Sequence, residues 1–227
     1  MKIKKISIIL IILIIAARYA RAQCVLQINI ADCRQEKTIE YIPELKIFRN
    51  DVLIKTVKPS YDDKQVLKNL EFGKYSVEYE TIFSKKESKQ VEISEKGRYN
   101  IDLCLNYLDY ESDPYEPIID RLEDGESYSI QISSVGCFHS SAESYIIDRK
   151  SDKYYLNYLD KTKRLNKDAV KAIRNFELEL NYMDTFGCTS SDTYTLVYKQ
   201  HKVKITDGSC DWNGIYFLRL QLKLAEE

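Results

Sequence analysis

The sequence contains little histidine, glycine or proline, with 2 His, 7 Gly and 4 Pro among 227 residues. So few glycines and prolines exclude collagen-like and low-complexity proteins. The Gly-rich phosphate loop, the Gly-x-Ser-x-Gly elbow and the His-Glu-x-x-His zinc motif are all missing from the sequence. The sequence therefore offers few of the residues that common catalytic sites use. A hydrolase that uses two carboxylates, however, needs none of these motifs.

The chain also lacks an excess of basic residues, since 34 Lys and Arg face 35 Asp and Glu for a net charge of −1. The first 22 residues hold five of the basic residues and no acidic one, which leaves 29 basic and 35 acidic residues and a net charge of −6 for the remainder. An acidic protein gains no attraction to a phosphate backbone. We therefore expect no nucleic-acid partner.

No apolar run is long enough to cross a membrane. Residues 6–17 are apolar except for Ser7 and follow three lysines within residues 2–5, whereas a spanning helix needs about 20 residues. With the small residues of Ala20-Arg21-Ala22, this pattern predicts a secretory signal peptide over residues 1–22, cleaved between Ala22 and Gln23. We expect an exported protein, periplasmic or extracellular, whose mature chain does not span a membrane.

Six cysteines follow the predicted cleavage site: Cys24, Cys33, Cys104, Cys137, Cys188 and Cys210. Export and an even count favour disulfides. The absence of a Cys-x-x-Cys motif argues against a thioredoxin-type site and a zinc ribbon. Cys188 and Cys210 flank a predicted hairpin, which favours a bridge between them.

The pairing of the other cysteines depends on strand direction. Cys104 lies late in the last strand of the first predicted domain, so it meets Cys33 if the first and last strands run parallel and Cys24 if they run antiparallel. We favour Cys33–Cys104. Cys24 and Cys137 then pair with each other or remain free. A lipid on Cys24 is a weaker alternative, because Gln23 does not fit the small residue that lipoproteins place before the cysteine.

Residues 23–105 are predicted to form an all-β sandwich domain. Short runs alternate apolar and polar residues, as at Tyr75, Val77 and Tyr79, which is typical of strands with one buried face. Asn50-Asp51, between residues 45–49 and 52–57, is a hairpin signal. Strands this short at regular spacing are typical of a sandwich.

The stretch Leu67-Lys68-Asn69-Leu70-Glu71-Phe72-Gly73-Lys74-Tyr75-Ser76-Val77 carries a resemblance. It resembles the "hydrophobic, Asn-Leu, Gly-x-Tyr-x-Val" step of prealbumin-like sandwiches, among them the carboxypeptidase regulatory-like and Cna-B-type modules of secreted bacterial proteins. The resemblance covers about 80 residues and implies that Gly73 permits a tight turn and that Tyr75 and Val77 enter the core. Such modules are spacers or binding supports, so the resemblance implies no catalytic residue.

Residues 106–117 combine acidic residues with two prolines and are predicted to be a linker.

Residues 118–227 are predicted to form an α+β domain with an antiparallel sheet and one or two helices. The first helix is predicted from the spacing of its apolar residues, with Asn166 as its N-cap: Ala169, Ile173, Phe176 and Leu180. Residues 218–224 alternate like a strand, but their leucines favour a helix.

Two groups of residues could form a metal-binding or catalytic site. Cys137-Phe138-His139 places a thiol and an imidazole on one side of an extended chain, as a copper or zinc site or a nucleophile–base pair requires. Asp192, Asp207 and Asp211 flank the predicted Cys188–Cys210 bridge, where carboxylates bind calcium or act as acid and base. We favour the structural alternatives, which are a disulfide cysteine beside an exposed histidine and a turn at Asp207.

Tyrosine is unusually frequent, with 18 residues in the chain. Exposed aromatic rings stack on sugars and anchor protein partners, and one such candidate surface comprises Tyr145, Tyr154, Tyr155, Tyr158 and Trp212. Tyrosine is also a good strand former, and strand alternation places several of these rings inward. We favour this second interpretation.

Together these patterns predict an exported, disulfide-stabilised binding or envelope-associated protein without catalytic activity or cofactor, and the resemblance of the first domain implies a bacterial one. Its expected partner is a protein or a carbohydrate at the cell envelope. A secreted hydrolase that uses carboxylates or the Cys137/His139 pair is one alternative, and a periplasmic enzyme inhibitor is another.

Overall fold

The structure is a computed structural model that describes residues 24–33, 42–58, 60–138, 140–183, 187, 189–209 and 212–224. The chain divides into two compact units, Met1–Tyr107 and Leu108–Glu227. The predicted signal peptide and its cleavage site lie outside the described residues. Within the described ranges, no helix has the length and apolar character needed to cross a membrane.

The described residues of the first unit form seven strands: β1 (Cys24–Ala31), β2 (Leu45–Arg49), β3 (Val52–Val57), β4 (Lys64–Leu70), β5 (Gly73–Glu80), β6 (Lys86–Ile93) and β7 (Arg98–Cys104). They form a three-stranded sheet, in the order β4-β1-β7, and a four-stranded sheet, in the order β3-β2-β5-β6. Neighbouring strands are antiparallel except for β1 and β7, which run parallel.

Both sheets contribute their apolar faces to one core, so the first unit is the expected β-sandwich. Alternate residues of β1 and β5 are fully buried while their neighbours are more exposed. The core residues of the two sheets include Leu26, Ile28, Ile30, Ile47, Tyr75, Val77, Tyr79, Ile101 and Leu103. Because the side chains of a strand alternate between faces, this pattern could be predicted from the sequence.

Two turns fix the geometry of the four-stranded sheet. Asn50 and Asp51 join β2 to β3 with φ angles of 46° and 64°, as a tight hairpin turn requires. Gly73 opens β5 with a φ of 148°, and a Cβ atom there would lie 2.9 Å from Oδ1 of Asn50. That oxygen accepts a hydrogen bond from the Lys74 N–H at 2.9 Å. The structure therefore explains the glycine of the Gly-x-Tyr-x-Val step.

In the second unit, the part of the chain that the structure describes forms six strands and three helices: α1 (Ile118–Arg121), β8 (Ser127–Val135), β9 (Ser140–Lys150), β10 (Lys153–Tyr158), β11 (Lys161–Arg164), α2 (Lys167–Leu180), β12 (Ser191–Tyr198), β13 (His201–Asp207) and α3 (Gly214–Leu222). The strands form one antiparallel sheet in the order β11-β10-β9-β8-β12-β13. The α+β prediction is therefore confirmed, and α1 is a single turn that the sequence did not indicate.

Helix α2 packs against the sheet and against the helices α1 and α3. Its N-cap is Asn166, whose side chain accepts a hydrogen bond from the Ala169 N–H at 2.8 Å. Phe176 of α2 lies against the rings of Tyr194 and Trp212, with centroid distances of 5.7 and 5.5 Å. The predicted cap and apolar face are thus both present. The ambiguous tail is helical, since α3 covers most of it.

Residues 108–117, most of the segment predicted as a linker, belong to the second unit and contact its helix α2. The Tyr110 hydroxyl donates a hydrogen bond to Glu179 at 2.5 Å, and the Arg174 guanidinium donates one to the Tyr110 carbonyl at 2.9 Å. The Tyr182 hydroxyl donates to the carboxylate of Asp113 at 2.9 Å. These contacts join residues 110–113 to α2 and to the turn that follows it.

Candidate binding groove on the open face of the six-stranded sheet

The six-stranded sheet has one apolar face and one polar face. Tyr128 and Ile130 of β8 are buried, and Ser129 and Gln131 alternate with them. The buried face packs against the helices, for example where Phe176 meets Tyr194. The opposite face, which we call the open face, carries the alternate residues of each strand.

Strand register brings small polar side chains into rows across the open face. Gln131 pairs with Thr195 of β12 on one side and with Ser144 of β9 on the other. Directly opposed residues of antiparallel strands point to the same face, so these three side chains are neighbours. The adjacent row has the same character and consists of Thr193, Ser133 and Ala142.

These rows line a groove of about 660 Å³. Its lining combines hydroxyl and amide groups with a few apolar side chains, and the residues are Gln131, Ile132, Ser133, Ala142, Glu143, Ser144, Ile146, Asn157, Leu159, Thr193 and Thr195. Ile146 and Leu159 are exposed apolar residues within this set. The alternation of apolar and polar residues along each strand predicts that Gln131 and Ser144 lie on a polar face. The groove itself depends on how distant strands pair with one another, and sequence reasoning missed it.

Glu143 is the single carboxylate among the described lining residues, and its oxygens are already engaged. It accepts hydrogen bonds from the Tyr145 hydroxyl, at 2.8 Å, and from the guanidinium of Arg219 on α3. Tyr145 is buried and stacks on Tyr158 with 4.8 Å between ring centroids. Burial, together with the Glu143 carboxylate, raises the pKa of Tyr145 well above its ordinary value. The network ties α3 to the sheet.

The aromatic platform suggested by the sequence is not an exposed surface. Tyr145 and Trp212 are buried, while Tyr154, Tyr155 and Tyr158 are half-buried. The indole of Trp212 donates a hydrogen bond to the carboxylate of Glu179 at 2.6 Å. The inclusion of Tyr145 and Trp212 in a binding surface was therefore wrong, because strand alternation and packing against α2 place both rings in the core.

Glu177 of α2 is a buried carboxylate that sequence reasoning missed. It accepts hydrogen bonds from the Tyr128 hydroxyl and from the backbone N–H groups of Ile118 and Ile119 at the start of α1. Burial raises the pKa of Glu177 to about 7, although these three hydrogen bonds act in the opposite direction. This carboxylate holds α1 and β8 to α2 and is not accessible to a ligand.

Cys33 and Cys104 form a disulfide with 5.5 Å between their Cα atoms. The parallel pairing of β1 with β7, which places Ala31 beside Cys104, brings the two cysteines together. This is the pairing favoured from the sequence. The thiol of Cys24 is free, buried and donates a hydrogen bond to the Glu95 carbonyl at 3.3 Å. Its burial is incompatible with a lipid on that sulfur.

Cys137 is a free and exposed cysteine whose sulfur lies 4.0 Å from the Thr189 carbonyl. It is therefore not bridged to Cys24. His139, Cys188, Cys210 and Asp211 lie outside the described residues, so the Cys137/His139 pair and the Cys188–Cys210 bridge stay predictions.

Asp207 forms the expected turn, since its Oδ1 accepts hydrogen bonds from the N–H and the hydroxyl of Ser209 at 2.9 and 2.6 Å. Asp192 lies opposite Asp207 in the β12–β13 pair and accepts a hydrogen bond from the Tyr194 hydroxyl at 3.2 Å. The part of the chain that the structure describes holds no group of three or more His, Cys, Asp or Glu side chains able to bind a metal ion.

No protein-family model matches the chain, and no curated protein matches it. Among solved structures, a streptococcal ancillary pilin matches with a TM-score of 0.31 and 10% sequence identity, over 84% of this chain and 60% of that chain. The chain thus spans less than two thirds of the pilin's length. A likeness of this size defines neither a fold nor a function.

Proposed function

We propose that the protein is an exported, disulfide-stabilised binding protein of the bacterial cell envelope, without catalytic activity, whose second unit binds a carbohydrate chain. The groove on the open face carries this proposal. Its hydroxyl and amide side chains both donate and accept hydrogen bonds, and so do the hydroxyls of a sugar.

The size and apolar content of the groove favour an oligosaccharide. Its lining extends from β12 through β8 and β9 to β10, and three strand spacings correspond to roughly 14 Å. Ile146 and Leu159, which are 42% and 74% exposed, offer apolar contact to the C–H faces of sugar rings. A short oligosaccharide lying across the strands matches both features.

The charges around the groove favour binding over hydrolysis. Glycosidases place two carboxyl groups on either side of the scissile bond. The described lining of the groove contains one carboxylate, Glu143, and its oxygens already accept hydrogen bonds from Tyr145 and Arg219. A carboxylate held in this way serves the packing of α3 and does not face a sugar as a free acid or base.

Export is supported by the signal-peptide pattern of residues 1–22 and by the Cys33–Cys104 bridge, since disulfides persist in oxidising compartments. The resemblance of the first unit to prealbumin-like modules of secreted bacterial proteins supports a role for that unit as a spacer. We propose this kinship on the sequence step at Gly73 and on the sandwich architecture.

Titration of the mature chain with neutral tetrasaccharides (chitotetraose, cellotetraose and maltotetraose) tests the proposal. We expect amide NMR shifts at Gln131, Ser144 and Thr195 for at least one sugar. Ser144→Arg should fill the groove and abolish the shifts at Gln131 and Thr195. Ser141→Arg, on an exposed residue of the same strand outside the lining, should leave them unchanged.

Failure of every sugar to bind, or binding that survives Ser144→Arg, contradicts the proposal. Release of shorter sugars during the titration contradicts its non-catalytic part.

A further inference from the structure

Strand β3 is an edge strand with apolar side chains in solvent. It lies at one end of the order β3-β2-β5-β6, and among the described strands it pairs with β2 alone. Its sequence is Val-Leu-Ile-Lys-Thr-Val, yet Val52, Leu53 and Ile54 are 65%, 50% and 45% exposed. The register of the β2–β3 pair shifts at this point, pairing Ile47 with Lys55 and Phe48 with Leu53, which leaves Ile54 as the extra residue.

The other edges of the described sheets are protected by charge. Proteins place charged residues on edge strands to prevent pairing with other chains. Strands β4, β6, β7, β11 and β13 each carry at least two charged residues, and β6 at the opposite edge of the same sheet carries four. Strand β3 carries Lys55 alone. Its six residues also have high β-propensity and include neither Pro nor Gly, which is typical of segments that pair with copies of themselves.

We propose that β3 pairs with β3 of a second copy of this chain, so that the two four-stranded sheets join edge to edge in a symmetric dimer. A two-fold axis between Ile54 and Lys55 defines the register of the antiparallel pair. In that register Val52 lies opposite Val57 of the second copy and Leu53 opposite its Thr56.

The charges at the strand ends are complementary in this register. Lys55 lies opposite Ile54 of the second copy, so no lysine faces a lysine. One step beyond the strand, Asp51 of each copy meets Lys58 of the other, and both residues are exposed. Opposite charges placed across a strand pair are stabilising, and like charges in the same place are destabilising. The dimer uses residues of the first unit and does not depend on the groove.

Sedimentation equilibrium of the mature chain over a wide concentration range tests the proposal. We expect a reversible dimer. Ile54→Lys, which sets a lysine opposite Lys55 of the second copy, should weaken it at least about tenfold. Gln90→Lys is the matched control, because Gln90 is an exposed residue on the other edge of the same sheet, and this variant should dimerise like the natural chain.

A charge swap tests the register itself. Lys58→Glu sets two carboxylates opposite each other and should weaken the dimer, whereas the double variant Asp51→Asn with Lys58→Glu removes this repulsion with a residue that tolerates the positive φ at position 51 and should be the tighter dimer of the two. Circular dichroism confirms that each variant is folded. A monomer at every concentration, a dimer indifferent to Ile54→Lys, or a double variant as weak as the single one overturns the proposal.

Discussion

The phenol of Tyr128 on β8 donates a hydrogen bond to Glu177 on α2, a carboxylate without solvent exposure. The same carboxylate accepts the N–H groups of Ile118 and Ile119. A single buried side chain thus joins a strand and two helices of the second unit, so its protonation affects the stability of that whole unit.

The stability of the second unit should therefore depend on pH. Burial raises the pKa of Glu177 from 4.5 to about 7, so the folded state binds this proton more tightly than the unfolded state. The resulting stabilisation is complete below about pH 4.5 and is lost as the pH rises through about 7. We expect the free energy of unfolding to fall by up to about 3 kcal/mol over that interval. Urea unfolding followed by the fluorescence of Trp212, the single tryptophan, measures it.

Glu177→Gln keeps the size of the side chain and removes its charge, so its stability should vary less with pH. Glu111→Gln, on an exposed glutamate, is the matched control and should retain the natural pH dependence. An equal dependence on pH in Glu177→Gln and in the natural chain would refute this role for Glu177.

Gly73→Ala should destabilise the first unit by more than about 1 kcal/mol, because it combines a positive φ with a close contact. The new Cβ would lie 2.9 Å from Oδ1 of Asn50, the oxygen that accepts the Lys74 N–H. Gly97→Ala is a matched control, since the nearest atom to its Cβ is 3.8 Å away. Calorimetric melting of both variants decides the matter, and equal melting temperatures would show that the turn does not need a glycine.

Removal of the Cys33–Cys104 bridge should cost the first unit about 4 kcal/mol, as expected for a loop whose ends are 71 residues apart. Calorimetry of the double variant Cys33→Ala with Cys104→Ala measures the loss. Cys137→Ser, in the other unit, should leave the melting of the first unit unchanged. A double variant that melts with the natural chain would mean that the sandwich core alone determines stability.

Alkylation of the native protein should distinguish two of the thiols. Cys137 is exposed and should react with iodoacetamide, whereas Cys24 is buried and should react after denaturation alone. Peptide mass mapping identifies the labelled sites. An unreactive Cys137 would indicate a bridge to a cysteine outside the described residues, and a reactive Cys24 would contradict its place in the core.

Local patterns in the sequence predicted much of the fold. Alternation identified β5 through Tyr75 and Val77, and Asn50-Asp51 identified the first hairpin. The spacing of apolar residues and the cap at Asn166 identified α2. Each of these features depends on residues close together in the chain.

Apart from the Cys33–Cys104 pairing, the features discussed next, which depend on distant partners, were not predicted. Glu177 and Glu179 border the apolar stripe of α2, since Glu177 follows Ile173 by one turn. A carboxylate is rarely buried, and the burial of these two is explained by donors such as Tyr128 and Trp212. Likewise the groove requires the register of several strands, which no local pattern encodes. The exposed aromatic surface, which was the less favoured interpretation of the tyrosines, is not formed, since packing against α2 buries Trp212.

The parallel pairing of β1 with β7, closed by the Cys33–Cys104 bridge, gives the first unit a short covalent path under mechanical load. A force applied at Cys24 and at the chain beyond Leu105 passes through residues 24–33 and then through the disulfide, so residues 34–103 carry no tension. Fully stretched, the oxidised path from Cys24 to Leu105 spans at most about 40 Å, against roughly 270–290 Å after reduction. Single-molecule stretching with and without a reductant should show this difference.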